Sequence, residues 1–160
     1  MPEGSVLQTL LPSALLIEED FIHGGLIKSE LAVAGIDVRM AVTELEASDM
    51  LGSMNPDLII CDWDTPGIDG RELLGCLKRK AAELSNIPVI LMTTRKVDAT
   101  LRSELMREGF RWILRKPLVL SVLPGACKRA MSECRNTKSR RVSTRPILMP
   151  APAQPATFTP

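Results

Sequence analysis

The sequence predicts an α/β fold, a doubly wound five-stranded parallel sheet with helices on both faces. Two observations carry that prediction. Short apolar runs alternate with segments of helical period, so that five strand-plus-helix units follow one another. Glycine and proline stand where most of these pieces should end. Successive units of this kind demand parallel strands covered on both sides, and right-handed crossovers leave few topologies open.

The first strand is Ala14-Leu15-Leu16-Ile17. A helix over 21–34 follows, with Ile27, Leu31 and Ala34 at amphipathic spacing and Leu26 beside them. Gly35 closes it, where a residue free to adopt positive φ is wanted. Residues 36–40 read as a second, weaker strand and 44–54 as a second helix. Leu58-Ile59-Ile60-Cys61 is the clearest strand, bounded by Asn55-Pro56 and by Asp62. Pro66, Gly67 and Gly70 mark a loop, and 72–84 a third helix. Pro88 opens the fourth strand, Val89-Ile90-Leu91-Met92, and a fourth helix over 99–108 stops at Gly109. Trp112-Ile113-Leu114 forms the fifth strand, ending at Lys116-Pro117. The last helix should start near Val122, with Ser121 as its N-cap and Pro124 in its first turn.

Residues 1–11 are an N-terminal extension, 12–134 the folded domain, and 135–160 a basic, then proline-rich tail or linker. From about Asn136 the helical pattern dissolves, and five of the last fifteen residues are proline, a composition that resists packing and predicts disorder. Charge follows the same division. Residues 128–146 hold seven Lys or Arg against Glu133 alone, whereas the rest of the chain has a net charge of −5.

Composition narrows the function classes. Hydrophobic residues at 45% and charged ones at 24% suit a globular domain. No apolar run approaches the length of a membrane span, and 7–17, which contains Pro12, lacks the basic start of a signal peptide. The four cysteines are widely spaced without a CxxC pair, so neither zinc nor disulfides are expected, and a cytoplasmic setting fits. Tyrosine is absent and aromatics make up 3%, which argues against a stacking surface for nucleic acid. Lys138-Ser139-Arg140-Arg141 reads as a solvated linker.

In an open parallel sheet the site lies beyond the C-terminal strand ends. The first strand delivers Glu18-Glu19-Asp20 there, the third Asp62-Trp63-Asp64, the fourth Thr93-Thr94 and the fifth Lys116. Crowded carboxylates repel unless a cation neutralises them, and an all-oxygen, partly hydrated site suits Mg²⁺. Asp62 then qualifies as a carboxylate nucleophile toward phosphorus. Lys116 and the Thr93 hydroxyl would stabilise charge on the transferred oxygens. Each residue alone has an ordinary structural reading; the conjunction from four strand ends is what points to chemistry. His23 reads as a surface residue beside this site.

These residues resemble the receiver domain of two-component response regulators, a flavodoxin-like, CheY-like (βα)5 fold with strand order 2-1-3-4-5. The likeness covers roughly 12–134. It rests on Leu15-Leu16-Ile17-Glu18-Glu19, on 56–63 with Pro66-Gly67-Ile68-Asp69-Gly70, on 88–94, and on 109–118 with its Lys-Pro pair. It implies that Asp62 is the phosphoacceptor, that Glu19 binds Mg²⁺ directly, and that Glu18 acts through water. The backbone carbonyl of Asp64 would complete the protein ligands. Thr93 would swing toward the phosphoryl group, Lys116 would pair with it, and the Lys116–Pro117 bond would be cis. The implied donor is a sensor histidine kinase, a phosphotransfer protein or a small acyl phosphate. The implied output is a change in the face of the fourth helix, fifth strand and fifth helix, which would bind a downstream protein or a second copy. The role is switching rather than enzymatic, with only intrinsic phosphotransfer and autodephosphorylation.

Three departures stand out. Glu19 is one methylene longer than the usual Asp. Ile113 replaces the usual Tyr or Phe three residues before the lysine, and the neighbouring Trp112 faces the other side of the strand. Asp64 adds negative charge beside the phosphoryl site, which would weaken phosphoryl binding or alter attack by water. Two rival readings stay open: a degenerate receiver acting as an interaction module without phosphorylation, and a haloacid-dehalogenase-like phosphatase suggested by Asp62-Trp63-Asp64-Thr65. The second lacks the further acids that family needs after its lysine, since only Glu133 follows Lys116.

Overall fold

The computed structural model describes residues 10–64, 75, 79 and 87–143, without the side chains of 137–143. Its elements run β1 (Ser13–Ile17), α1 (Phe21–Val33), β2 (Asp37–Ala41), α2 (Glu44–Ser53), β3 (Leu58–Asp62), β4 (Val89–Thr93), α3 (Ala99–Arg107), β5 (Trp112–Arg115) and α4 (Leu123–Ser143). The five strands form one sheet in the order β2-β1-β3-β4-β5, all pairs parallel. The helix expected over 72–84, its preceding loop and the proline-rich tail lie outside the described residues, apart from helical backbone at Gly75 and Arg79.

Strand residues alternate between two apolar layers. Leu15, Ile17, Ile59, Cys61 and Leu91 pack under α2 and α3, against Ala47, Leu51 and Leu105. Leu16, Ile60, Ile90 and Met92 pack under α1 and α4, against Ile27, Leu31, Cys127 and Met131. Every residue of β3 and β4 is buried, as central strands covered on both faces require. Burial also keeps the thiols of Cys61 and Cys127 protonated, pushing that of Cys127 up to about 12.

The helix ends follow local chemistry. Asp20 caps α1 by accepting from the Ile22 and His23 amides, and Asp98 caps α3 by accepting from the Leu101 amide. At α2 the Thr43 hydroxyl accepts from the Glu46 amide while Glu46 reaches back to the Val42 amide. Gly35 and Gly109 have φ of +79° and +99°, the left-handed turn expected at Gly35 and found again where α3 ends.

The last helix departs from expectation at both ends. Ser121 is not its N-cap: it sits inside a 3₁₀ turn over Leu120–Val122, and α4 starts at Leu123 with Pro124 behind it. Nor does helix stop near Asn136. It runs to Ser143, because 134–143 contains no Gly or Pro and its Lys and Arg residues favour a helix C-terminus. The structured body thus continues into the basic extension. Among the described residues no helix is long and apolar enough to cross a membrane.

Ile60 is fully buried between β1 and β4 beneath α1. Ile60→Ala should lower the unfolding free energy by about 2–5 kcal/mol in urea titrations. Val33→Ala, at an 89% exposed position, should change it by no more than about 0.5 kcal/mol.

Candidate functional site

Parallel pairing aligns the strand ends, so the residues that leave β1, β3, β4 and β5 meet along one rim of the sheet. Asp62 is the last residue of β3 and 5% exposed. Its Oδ2 lies 2.7 Å from the Lys116 Nζ, and its Oδ1 accepts from the Asp64 amide at 2.9 Å. Lys116 follows β5, its amide donates to the Thr93 carbonyl, and its bond to Pro117 is cis. A nearly buried carboxylate is tolerated here because the ammonium and an amide both address its charge.

Asp64 is drawn into the same cluster. The Thr93 hydroxyl donates to its Oδ1 at 2.8 Å, the Thr94 amide donates to its Oδ2, and the Lys116 Nζ stands 3.8 Å from Oδ2. The Arg95 Nε lies 3.7 Å from Oδ1, with the guanidinium stacked 5.0 Å above the Trp63 ring. Partial burial raises the Asp64 carboxyl pKa, but the Thr94 and Thr93 hydrogen bonds outweigh it and hold the group below the usual carboxylate range.

The acids after β1 divide. Glu18 is buried, with Oε1 accepting from the Asp20 amide and Oε2 2.8 Å from the His23 Nδ1. Glu19 is exposed at the rim. Asp20 is held below its ordinary pKa by the His23 and Ile22 amides, and Lys116 acts on it in the same direction. The donors are hard oxygens and match Mg²⁺ chemically. They are not a ready-made cluster, since among the described residues no three acidic, His or Cys side chains are gathered to hold a metal.

The structure therefore brings Asp62, Asp64, Thr93 and Lys116 together, buries Glu18 against His23 and leaves Glu19 exposed. Sequence reasoning missed Thr94 and Arg95 as partners and Asp20 as a cap. The cap was legible, being an Asp immediately before a helical run. His23 is half-buried and paired rather than merely superficial. Ile113 packs with the α2–α3 layer and Trp112 with the opposite one, so the indole does not stand in for the missing aromatic.

The response regulator receiver domain family matches residues 14–128. A probable transcriptional regulator, ycf29, of Pyropia yezoensis is 40% identical over 81 residues, covering 51% of this chain and 36% of that protein. The phosphate regulon transcriptional regulatory protein PhoB of Rhizobium meliloti is 31% identical over 86 residues, covering 54% and 37%. The chain thus matches little more than a third of the length of these relatives. The receiver domain of a Francisella response regulator superposes with a TM-score of 0.66 at 25% identity, over 76% of this chain and 98% of that one.

The lowered carboxyl of Asp64 has a consequence for stability. As pH falls below the ordinary aspartate value of 3.8, the unfolded chain takes up this proton before the folded one does. Asp64 therefore contributes fully above 3.8 and loses its contribution as pH drops through its folded value. Urea unfolding of metal-free protein at stepped pH should show wild type more stable than Asp64→Asn at neutrality, with the gap closing in acid.

Proposed function

The chain belongs to the response regulator receiver domain family, and on that premise we propose that it is a phosphorylation-dependent signalling switch with Asp62 as phosphoacceptor. The observation that carries this reading is the pairing of the Asp62 Oδ2 with the Lys116 Nζ at 2.7 Å, beside the Thr93 hydroxyl and the Thr94 amide. A carboxylate, an ammonium, a hydroxyl and an amide at one strand-end cleft are the protein groups that can serve acyl phosphate formation beside a bound cation.

In the proposed step an Asp62 carboxylate oxygen attacks the phosphorus of a phosphohistidine or small acyl phosphate. A P–O bond forms while the bond to the imidazole nitrogen or donor carboxylate breaks, and the donor leaves with that electron pair. Lys116 transfers its contact from the Asp62 carboxylate to the phosphoryl oxygens. The Thr93 hydroxyl and Thr94 amide donate to the same oxygens. Glu18, Glu19, the Asp62 carboxylate and the Asp64 backbone carbonyl would hold Mg²⁺, which supplies charge neutralisation when bound.

The signal would leave through α3, β5 and α4. Thr93 lies opposite Arg115 in the β4–β5 register, so movement of its hydroxyl bears directly on the strand that carries Ile113. That face would then bind a downstream protein or a second copy. The upstream partner would be a sensor histidine kinase or phosphotransfer protein. A second reading, a folded module that is not phosphorylated, draws support from Glu19, which stands exposed at the rim.

Intact-protein mass spectrometry after incubation with acetyl phosphate separates the two. A single phosphoryl adduct that needs both Mg²⁺ and Asp62, absent in Asp62→Ala and reduced in Lys116→Ala, is expected. Absence of an adduct in wild type, together with no Mg²⁺-dependent change in Trp63 fluorescence, would favour the second reading instead.

A further inference from the structure

The donors that a phosphoryl group on Asp62 would need are already engaged by a carboxylate of the chain itself. Both oxygens of Asp64 are bound, one by the Thr93 hydroxyl at 2.8 Å and the other by the Thr94 amide. Two cations flank it, with the Lys116 Nζ at 3.8 Å and the Arg95 Nε at 3.7 Å. The Asp64 amide donates to the Asp62 Oδ1, so this residue bridges the acceptor carboxylate and the Thr93 hydroxyl. Only 18% of the Asp64 side chain is exposed, and Thr93 is fully buried, so this is not a loose surface contact.

We propose that Asp64 is an internal anion that occupies the phosphoryl-binding donors of the unphosphorylated chain and must be displaced when Asp62 is phosphorylated. A phosphoryl group brings about −1.5 to −2 charges to the position flanked by Asp64, and two anions cannot share one set of donors. The arriving group therefore competes with a ligand tethered within the same loop. Its apparent affinity falls by the fraction of time the donors stand unoccupied. The same contact holds the Thr93 hydroxyl in an engaged position before any phosphoryl group arrives. Phosphorylation would then exchange one anion for another at Thr93, narrowing the difference between the two states at β5. Arg95, stacked on Trp63, provides the cation toward which the displaced carboxylate can turn.

This inference rests on Asp62 being the acceptor, and its test separates the two. Beryllofluoride, a phosphoryl analogue, is titrated with Mg²⁺ into wild type, Asp64→Asn and Asp64→Ala, with Trp63 fluorescence as the readout. Both variants keep the Asp64 backbone carbonyl. Each is expected to bind the analogue about tenfold more tightly than wild type. Equal or weaker binding would overturn the proposal. Should none of the three bind, the acceptor assignment fails, and the ligand-free proteins decide the role of Asp64 by themselves. Backbone amide shifts in Asp64→Ala are expected to move at Thr93, Thr94 and along Trp112–Arg115. Changes confined to the immediate neighbours of residue 64 in sequence would show a passive side chain and overturn the proposal.

Discussion

The whole site depends on the ammonium of Lys116 reaching Asp62. A carboxylate that ends a fully buried strand is costly unless a charge answers it, and β3 has none of its own. The answer comes from beyond β5, two strands away in the sheet, at 2.7 Å. The same ammonium lies 3.8 Å from Asp64, so one cation serves two acids that would otherwise repel. Everything chemical in the cleft is arranged around that shared charge.

The scaffold makes such sharing possible. Parallel strands in register bring their C-terminal ends to one edge, and apolar layers on both faces leave polar groups nowhere else to gather. The rim therefore concentrates residues from four loops that are far apart in the chain. Thr93 and Asp64, 29 residues apart, meet there, as do Lys116 and Asp62, 54 residues apart. The family likeness extends across this architecture, while Glu19, Ile113 and Asp64 mark where this chain departs from the residues that likeness leads one to expect.

Local pattern was a good guide wherever one physical cause dominated. Strands β3 and β4 were visible because buried strands are continuous apolar runs, and Gly35 and Gly109 because only glycine takes positive φ cheaply. Where causes compete, the reading slipped. Ser121 is a good capping residue, yet the chain spends it in a 3₁₀ turn before α4. The basic segment after Asn136 looked like a linker by charge, but helix propensity and the preceding α4 turns carry it to Ser143.

By itself the sequence determined the order of strands and helices and which residues reach the strand ends, because periodicity and chain direction are local properties. It also singled out Asp62, Thr93 and Lys116 as a set, because acid, hydroxyl and ammonium at successive strand ends have few purely structural reasons to coincide. Only the tertiary structure decided how those groups share their hydrogen bonds. Asp64 turns to Thr93 and Thr94, and Asp62 to Lys116, each choosing among donors brought near by folding. Such choices depend on distances between segments far apart in sequence, and no local period records them.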